Sequence, residues 1–143
     1  MEEIKQFNSP REHYKADVCI VWCYDNRFSN ALKFILKDYK NYDLVSIAGG
    51  AKDLAGESGP AKEFLVKQIE TSIKLHGTNK IVIMNHGDCG AYGGIKSFGS
   101  DSSKEKEHHK GELGKARAFL KEKFPDISIQ VLFVDFEKIY EID

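Results

Sequence analysis

The sequence predicts an α/β fold: a mainly parallel four-stranded sheet, with room for an additional edge strand, flanked by helices. Three observations predict it. Short apolar runs stand at 18–22, 44–47, 80–84 and 128–133, and the first lacks the polar alternation of a half-exposed strand, as expected of a strand covered on both faces. Between them lie longer stretches with apolar residues at three- and four-residue spacing, the mark of amphipathic helices. Glycine and proline punctuate the joints.

Taken in order, residues 1–17 are polar, and Pro10 discourages a helix through them, so they read as an N-terminal arm that lies on another surface. Residues 18–143 form the remaining α/β domain. Cys23 stands where the first strand meets a loop. Ser29 or Asn30 caps a helix to about Asp38, with Leu32, Phe34, Ile35 and Leu36 as its apolar content. The second strand is followed by Gly49 and Gly50. Ser58, Gly59 and Pro60 then announce a helix to about His76, because proline at a first helical position sacrifices no hydrogen bond, and Gly77 suits its C-terminal cap. His86 follows the third strand. Residues 87–111, rich in glycine and charge, read as a long loop holding at most a short helical piece. A helix from Gly111 or Glu112 to Phe124, ended by Pro125, leads into the fourth strand.

Length and charge narrow the function classes. One domain of 143 residues, 41% hydrophobic, buries a sizeable core. Lys and Arg number 21 against 22 Asp and Glu, a formal charge of -1 that offers no electrostatic case for a nucleic-acid partner. No run approaches the roughly 20 apolar residues of a membrane span, and the first residues hold no apolar signal core; a cytoplasmic location is the expectation. Three cysteines cannot all pair. Geometry disfavours a Cys19–Cys23 bridge in an extended strand, where four residues rise about 13 Å while bridged Cα atoms lie within about 7 Å.

The chemistry concentrates at strand ends. In parallel α/β sheets, ligands sit beyond the carboxyl ends of the strands, and Cys23, Gly49-Gly50 and His86 each follow a predicted strand. In Asn85-His86-Gly87-Asp88-Cys89-Gly90, an imidazole and a thiol stand three residues apart in a glycine-rich turn. With Cys23 they make a Cys2His set, which suits zinc and leaves a coordination position open; iron and cobalt fit the same donors. Asp25 is near enough in sequence to reach the metal or its water, and Arg27 can hold that carboxylate in a bidentate pair. So held, Asp25 stays ionised, accepts a hydrogen bond from the water and is discouraged from becoming a ligand. The glycines at 90, 93 and 94 do not match either nucleotide-binding loop.

Together these segments resemble the β-class carbonic anhydrases, in particular the small, compact members. Cys23-Tyr24-Asp25-Asn26-Arg27 matches the Cys-x-Asp-x-Arg signature, and His86-Gly87-Asp88-Cys89-Gly90 matches His-x-x-Cys-Gly. Ser46 to Gly50 resembles the intervening alanine-glycine segment, and the likeness extends from about Lys15 to Phe136. The resemblance implies zinc on Cys23, His86 and Cys89, and catalytic roles for Asp25 and Arg27. It further implies hydration of carbon dioxide to bicarbonate and a proton by a zinc-bound hydroxide, in a homodimer or assembly of dimers embraced by N-terminal segments. Related folds hydrolyse carbonyl sulfide or carbon disulfide, and a non-catalytic zinc protein is a further alternative. Two positions depart from the pattern. His13-Tyr14-Lys15 stands where many relatives carry a substrate-holding glutamine, and Ser46-Ile47 replaces arginine and asparagine. His13, His76, His108 and His109 are candidate proton shuttles, since histidine titrates near neutrality; none is singled out.

Overall fold

The computed structural model describes residues 1–143. Five strands form one sheet in the order β2-β1-β3-β4-β5. The first four, β1 (Val18–Trp22), β2 (Tyr42–Ser46), β3 (Lys80–His86) and β4 (Ser128–Val134), are parallel to their neighbours. The additional strand, β5 (Ile139–Glu141), pairs antiparallel with β4 at the edge. Helix α1 (Ser29–Leu36) links β1 to β2, α3 (Pro60–His76) links β2 to β3, and α4 (Ser102–Lys123) links β3 to β4. A single turn, α2 (Lys52–Ala55), precedes α3.

Period-two alternation divides each central strand between two cores. Cys19, Val21, Ile81, Ile83, Val131 and Phe133 face one side, packed with Leu54, Leu65, Ile69, Leu113 and Leu120 from α2, α3 and α4. Val18, Ile20, Trp22, Val82, Met84 and Leu132 face the other, packed with Phe28 and Ile35. Every residue of β1 is buried, which explains its unbroken apolar run. At the sheet edge, β2 alternates between exposed and half-buried residues, and Tyr42 and Leu44 are each 40% exposed.

This topology places the site. From β1 the chain moves outward to β2, then crosses back over β1 to β3, so the two crossovers leave the sheet on opposite faces. The carboxyl ends of β1 and β3 therefore form the switch point at which such sheets bind ligands.

The largest departure from the sequence reading is α4. It begins at Ser102, not near Gly111, so the predicted loop is helical from Ser102 onward. Asp101 caps it, its carboxylate accepting from the Ser103 and Lys104 N–H groups at 2.9 and 3.1 Å. Gly111 and Gly114, which argue against a helix, lie in open space along it, and burial of Leu113, Ala116 and Leu120 outweighs their low propensity. His86 is the last residue of β3 rather than the first beyond it. Residues 1–15 form no helix or strand and are exposed, while Ala16 is buried and donates to the His76 carbonyl at 3.0 Å.

One glycine carries the packing of the switch-point loop. Gly50 has φ +54°, and a Cβ there would lie 2.2 Å from the Met84 carbonyl oxygen of β3. Gly50→Ala is therefore expected to destabilise the protein by about 3 kcal/mol, measured as a lower midpoint in urea unfolding at unchanged slope.

Candidate metal centre

Cys23 leaves β1 at this switch point. Asp25 then caps the 3-10 turn Asn26–Phe28, its carboxylate accepting from the Arg27 N–H at 3.0 Å. From the neighbouring strand, β3 delivers His86, and the turn through Gly87 and Asp88 brings Cys89 back toward it. Asp88 sits at φ +50°, a left-handed conformation unusual for a residue with a side chain. One donor atom from each of Cys23, His86 and Cys89 lies within 4.8 Å of the others, and all three residues are buried. A tetrahedral zinc with ordinary bond lengths holds its sulfur and nitrogen donors about 3.5–3.8 Å apart, so small side-chain rotations close this set.

The tautomer of His86 follows from its partner. Its Nδ1–H donates to the Gly87 carbonyl at 2.8 Å, which leaves the Nε2 lone pair for another use. Nε2 is fully buried and has no hydrogen-bond partner. The ring packs against both Trp22 and Phe28, with centroids 5.5 and 4.4 Å away. An orphaned lone pair at this depth is costly, and a cation between it and two thiols removes the cost. The two thiols are coupled: the closeness of Cys89, with His86 and the backbone at Gly49 and Asp25, draws the Cys23 pKa below the ordinary thiol range against the effect of burial. Cys89 is pushed up by the neighbouring Cys23 and by its own burial. A thiol pair that favours a thiolate in this way suits a soft metal.

Asp25 lies beside these donors, with Oδ2 4.0 Å from His86 Nε2. Arg27 grips it through Nη2 at 2.7 Å and Nε at 3.1 Å, which holds the Asp25 carboxyl below the usual carboxylate range. The same guanidinium donates from Nη1 to Asp88 Oδ2 at 2.8 Å and from Nη2 to the Asp88 carbonyl at 2.9 Å. Arg27 therefore ties the loop after β1 to the turn after β3. The motif spacing points to the Asp25–Arg27 pair; the Asp88 contact, 61 residues away, is visible only in three dimensions.

Asn85, His109 and Glu105 complete the surroundings; of these the sequence offered a role only to His109, as one of four candidate shuttles. The Asn85 side-chain oxygen Oδ1 accepts from the Ala51 N–H at 2.8 Å, and its Nδ2 lies 3.2 Å from His109 Nδ1. Of the four candidate shuttles, His13 and His108 are exposed, and His76 is half-buried with Nδ1 2.8 Å from Asp43. His109 is fully buried, and burial draws its pKa down to about 4, so it stays neutral where a shuttle titrates.

That burial has a consequence for stability. A histidine whose folded pKa is depressed stabilises the fold fully above its unfolded value of about 6.5, and the contribution is lost as pH falls toward the folded value. Between pH 7 and 5 the wild-type protein is expected to lose about 2 kcal/mol more unfolding free energy than His109→Phe, as read by urea titration at both values.

The comparisons with known proteins agree with this geometry. A family model described as "Putative carbonic anhydrase" matches residues 13–142. An uncharacterized protein of Rickettsia conorii is 31% identical over 148 residues, covering 92% of this chain and 78% of that protein. Among solved structures, carbonic anhydrase from Streptococcus mutans superposes with a TM-score of 0.63 at 21% identity, covering 97% of this chain and 88% of that one. A carbon disulfide hydrolase in its apo form superposes with a TM-score of 0.61 at 13% identity, covering 91% and 81%; at such identities the likeness is one of fold. With almost the whole length matched and the Cys-His-Cys triad assembled at the switch point, the chain belongs to the β-carbonic-anhydrase-like family.

Proposed function

We propose that this protein is a zinc-dependent carbonic anhydrase, hydrating carbon dioxide to bicarbonate and a proton. The observation that carries the proposal is the convergence of two thiols and an unpartnered imidazole Nε2 within 4.8 Å, with an arginine-held carboxylate 4.0 Å from that nitrogen. Cys23, His86 and Cys89 would hold the ion. When bound, zinc supplies the Lewis acidity that makes water a nucleophile near neutral pH.

The rest of the chemistry belongs to the chain. Asp25, kept ionised by Arg27, is an acceptor and not a proton store at neutral pH, so its Oδ2 orients a water by accepting a hydrogen bond. Because both Asp25 oxygens are engaged by Arg27, the carboxylate is restrained from swinging toward the metal ligands. Trp22 and Phe28 pack on the His86 ring and fix its orientation.

The test follows proton release by stopped-flow with a pH indicator, using zinc-loaded protein between about pH 7 and 9. Turnover of carbon dioxide well above that of free zinc and buffer is expected; its absence overturns the proposal. If carbonyl sulfide or carbon disulfide is turned over instead, the protein is a hydrolase of those compounds. One zinc per chain with no turnover of any of the three would assign it a non-catalytic role.

The same reading includes assembly as a homodimer or as a set of dimers, with residues 1–17 as an arm on the partner. Its support is exposed apolar surface: Ile4 and Phe7 on the arm, and Tyr42 and Leu44 along the unpaired edge of β2. No helix is long and apolar enough to cross a membrane. Removal of residues 1–15 is expected to shift the sedimentation coefficient toward that of the monomer.

A further inference from the structure

Glu105 is the one buried carboxylate of the molecule, only 4% exposed, and no cation lies within salt-bridge distance of it. A glutamate in that position is rare without a specific partner. Its partner is a backbone group: Oε1 accepts from the Asp88 N–H at 2.6 Å. The second oxygen, Oε2, lies over Gly87, where a Cβ would approach it to 3.4 Å. Glu105 therefore presses on the turn between two of the three proposed metal ligands, from the first turns of a helix on the far side of the loop.

That turn is held from every direction. Asp88 adopts its left-handed backbone conformation, its Oδ1 accepts from the Ile95 N–H at 3.0 Å, and Oδ2 and the carbonyl both accept from Arg27. Gly94 closes over the same carboxylate, since a Cβ there would lie 2.9 Å from Oδ1. With the Glu105 bond added, a continuous path runs Glu105–Asp88–Arg27–Asp25 and ends beside His86 Nε2. Without Glu105, the Asp88 N–H loses its acceptor, and the left-handed conformation loses the contact that offsets its strain.

We infer that Glu105 is a positioning residue for the reaction proposed above: by accepting the Asp88 N–H it sets the Asp88 turn so that Arg27 can grip Asp25 and Asp88 at once. It touches neither substrate nor metal. The inference rests on the carbonic anhydrase reading only for its effect on turnover. The structural part, that Glu105 controls where Arg27 sits, holds with or without that activity.

The test compares wild type with Glu105→Leu, which fills similar space with no acceptor, and Glu105→Gln, which keeps an acceptor oxygen without the charge. Nitrogen-15 NMR of zinc-loaded and zinc-free protein reads the Asp88 amide and the Arg27 Nε–H. Glu105→Leu is expected to shift both signals and speed Asp88 amide exchange, and Glu105→Gln to restore both. Turnover of carbon dioxide should fall about 10- to 100-fold in Glu105→Leu at one zinc per chain, with most of that loss recovered in Glu105→Gln.

Unmoved Asp88 and Arg27 signals in Glu105→Leu overturn the inference, as do signals displaced equally in Glu105→Gln. Should Glu105→Leu fail to fold, Glu105→Gln decides alone: a protected Asp88 amide supports the role, and an unprotected one overturns it. If wild type shows no turnover, the functional proposal fails while the NMR comparison still decides the role of Glu105.

Discussion

Cys89→Ser is expected to purify with far less than one zinc per chain and to lose at least about 100-fold in carbon dioxide turnover. Serine is smaller by little, but its hydroxyl is a hard and weakly acidic group where the site presents a soft donor. The effect should exceed that of an ordinary core substitution because Cys89 also lies beside Cys23 and helps to lower the pKa of that thiol. Cys23→Ser should behave alike. Elemental analysis after dialysis against a weak chelator reads the metal, and stopped-flow reads the rate. One tightly held zinc in Cys23→Ser would contradict the proposed ligand set.

Arg27→Ala should lower turnover by about 100-fold while the zinc stays bound. The guanidinium makes contacts in two directions, and both are lost together. Asp25, no longer held by Nε and Nη2, is free to rotate its carboxylate toward the metal ligands, 4.0 Å from His86 Nε2. Asp88 Oδ2 and the Asp88 carbonyl lose their Arg27 donors at the same time. The sign of the pH effect follows from the pairing: Arg27 holds the Asp25 carboxyl low, so its removal lets that carboxyl rise toward the ordinary value. Arg27→Lys keeps the charge without the planar fork, and an intermediate rate is expected. A crystal structure of Arg27→Ala with Asp25 unmoved, together with undiminished turnover, would remove Arg27 from the mechanism.

Much of the fold was legible because its signals are local. The β1 run reads as a doubly covered strand since each of its residues is buried. Pro60 and Gly77 bound α3 where the cap rules place them, Gly77 taking the left-handed conformation at φ +63°. The α4 N-terminus was missed for an equally physical reason. Its first two turns, Ser102 to Lys110, carry polar side chains, and the residues that bury there, Glu105 and His109, are ones that ordinarily face water. No hydrophobic periodicity marks a helix whose inner face is polar.

The candidate site divides in the same way. Cys23, Asp25, Arg27, His86 and Cys89 were readable from two short motifs, because groups that act on one ion recur at spacings a turn can satisfy. Their convergence from β1 and β3 followed from the alternation of strands and helices. Only the tertiary structure decided that Arg27 also binds Asp88, that Glu105 reaches the Asp88 N–H from α4, and that His109 is buried beside Asn85. Those contacts join residues from 17 to 61 positions apart. Local sequence rules carry composition, periodicity and capping, whereas a buried polar contact depends on which loop and helix pack against each other, and that is settled only when the whole chain folds.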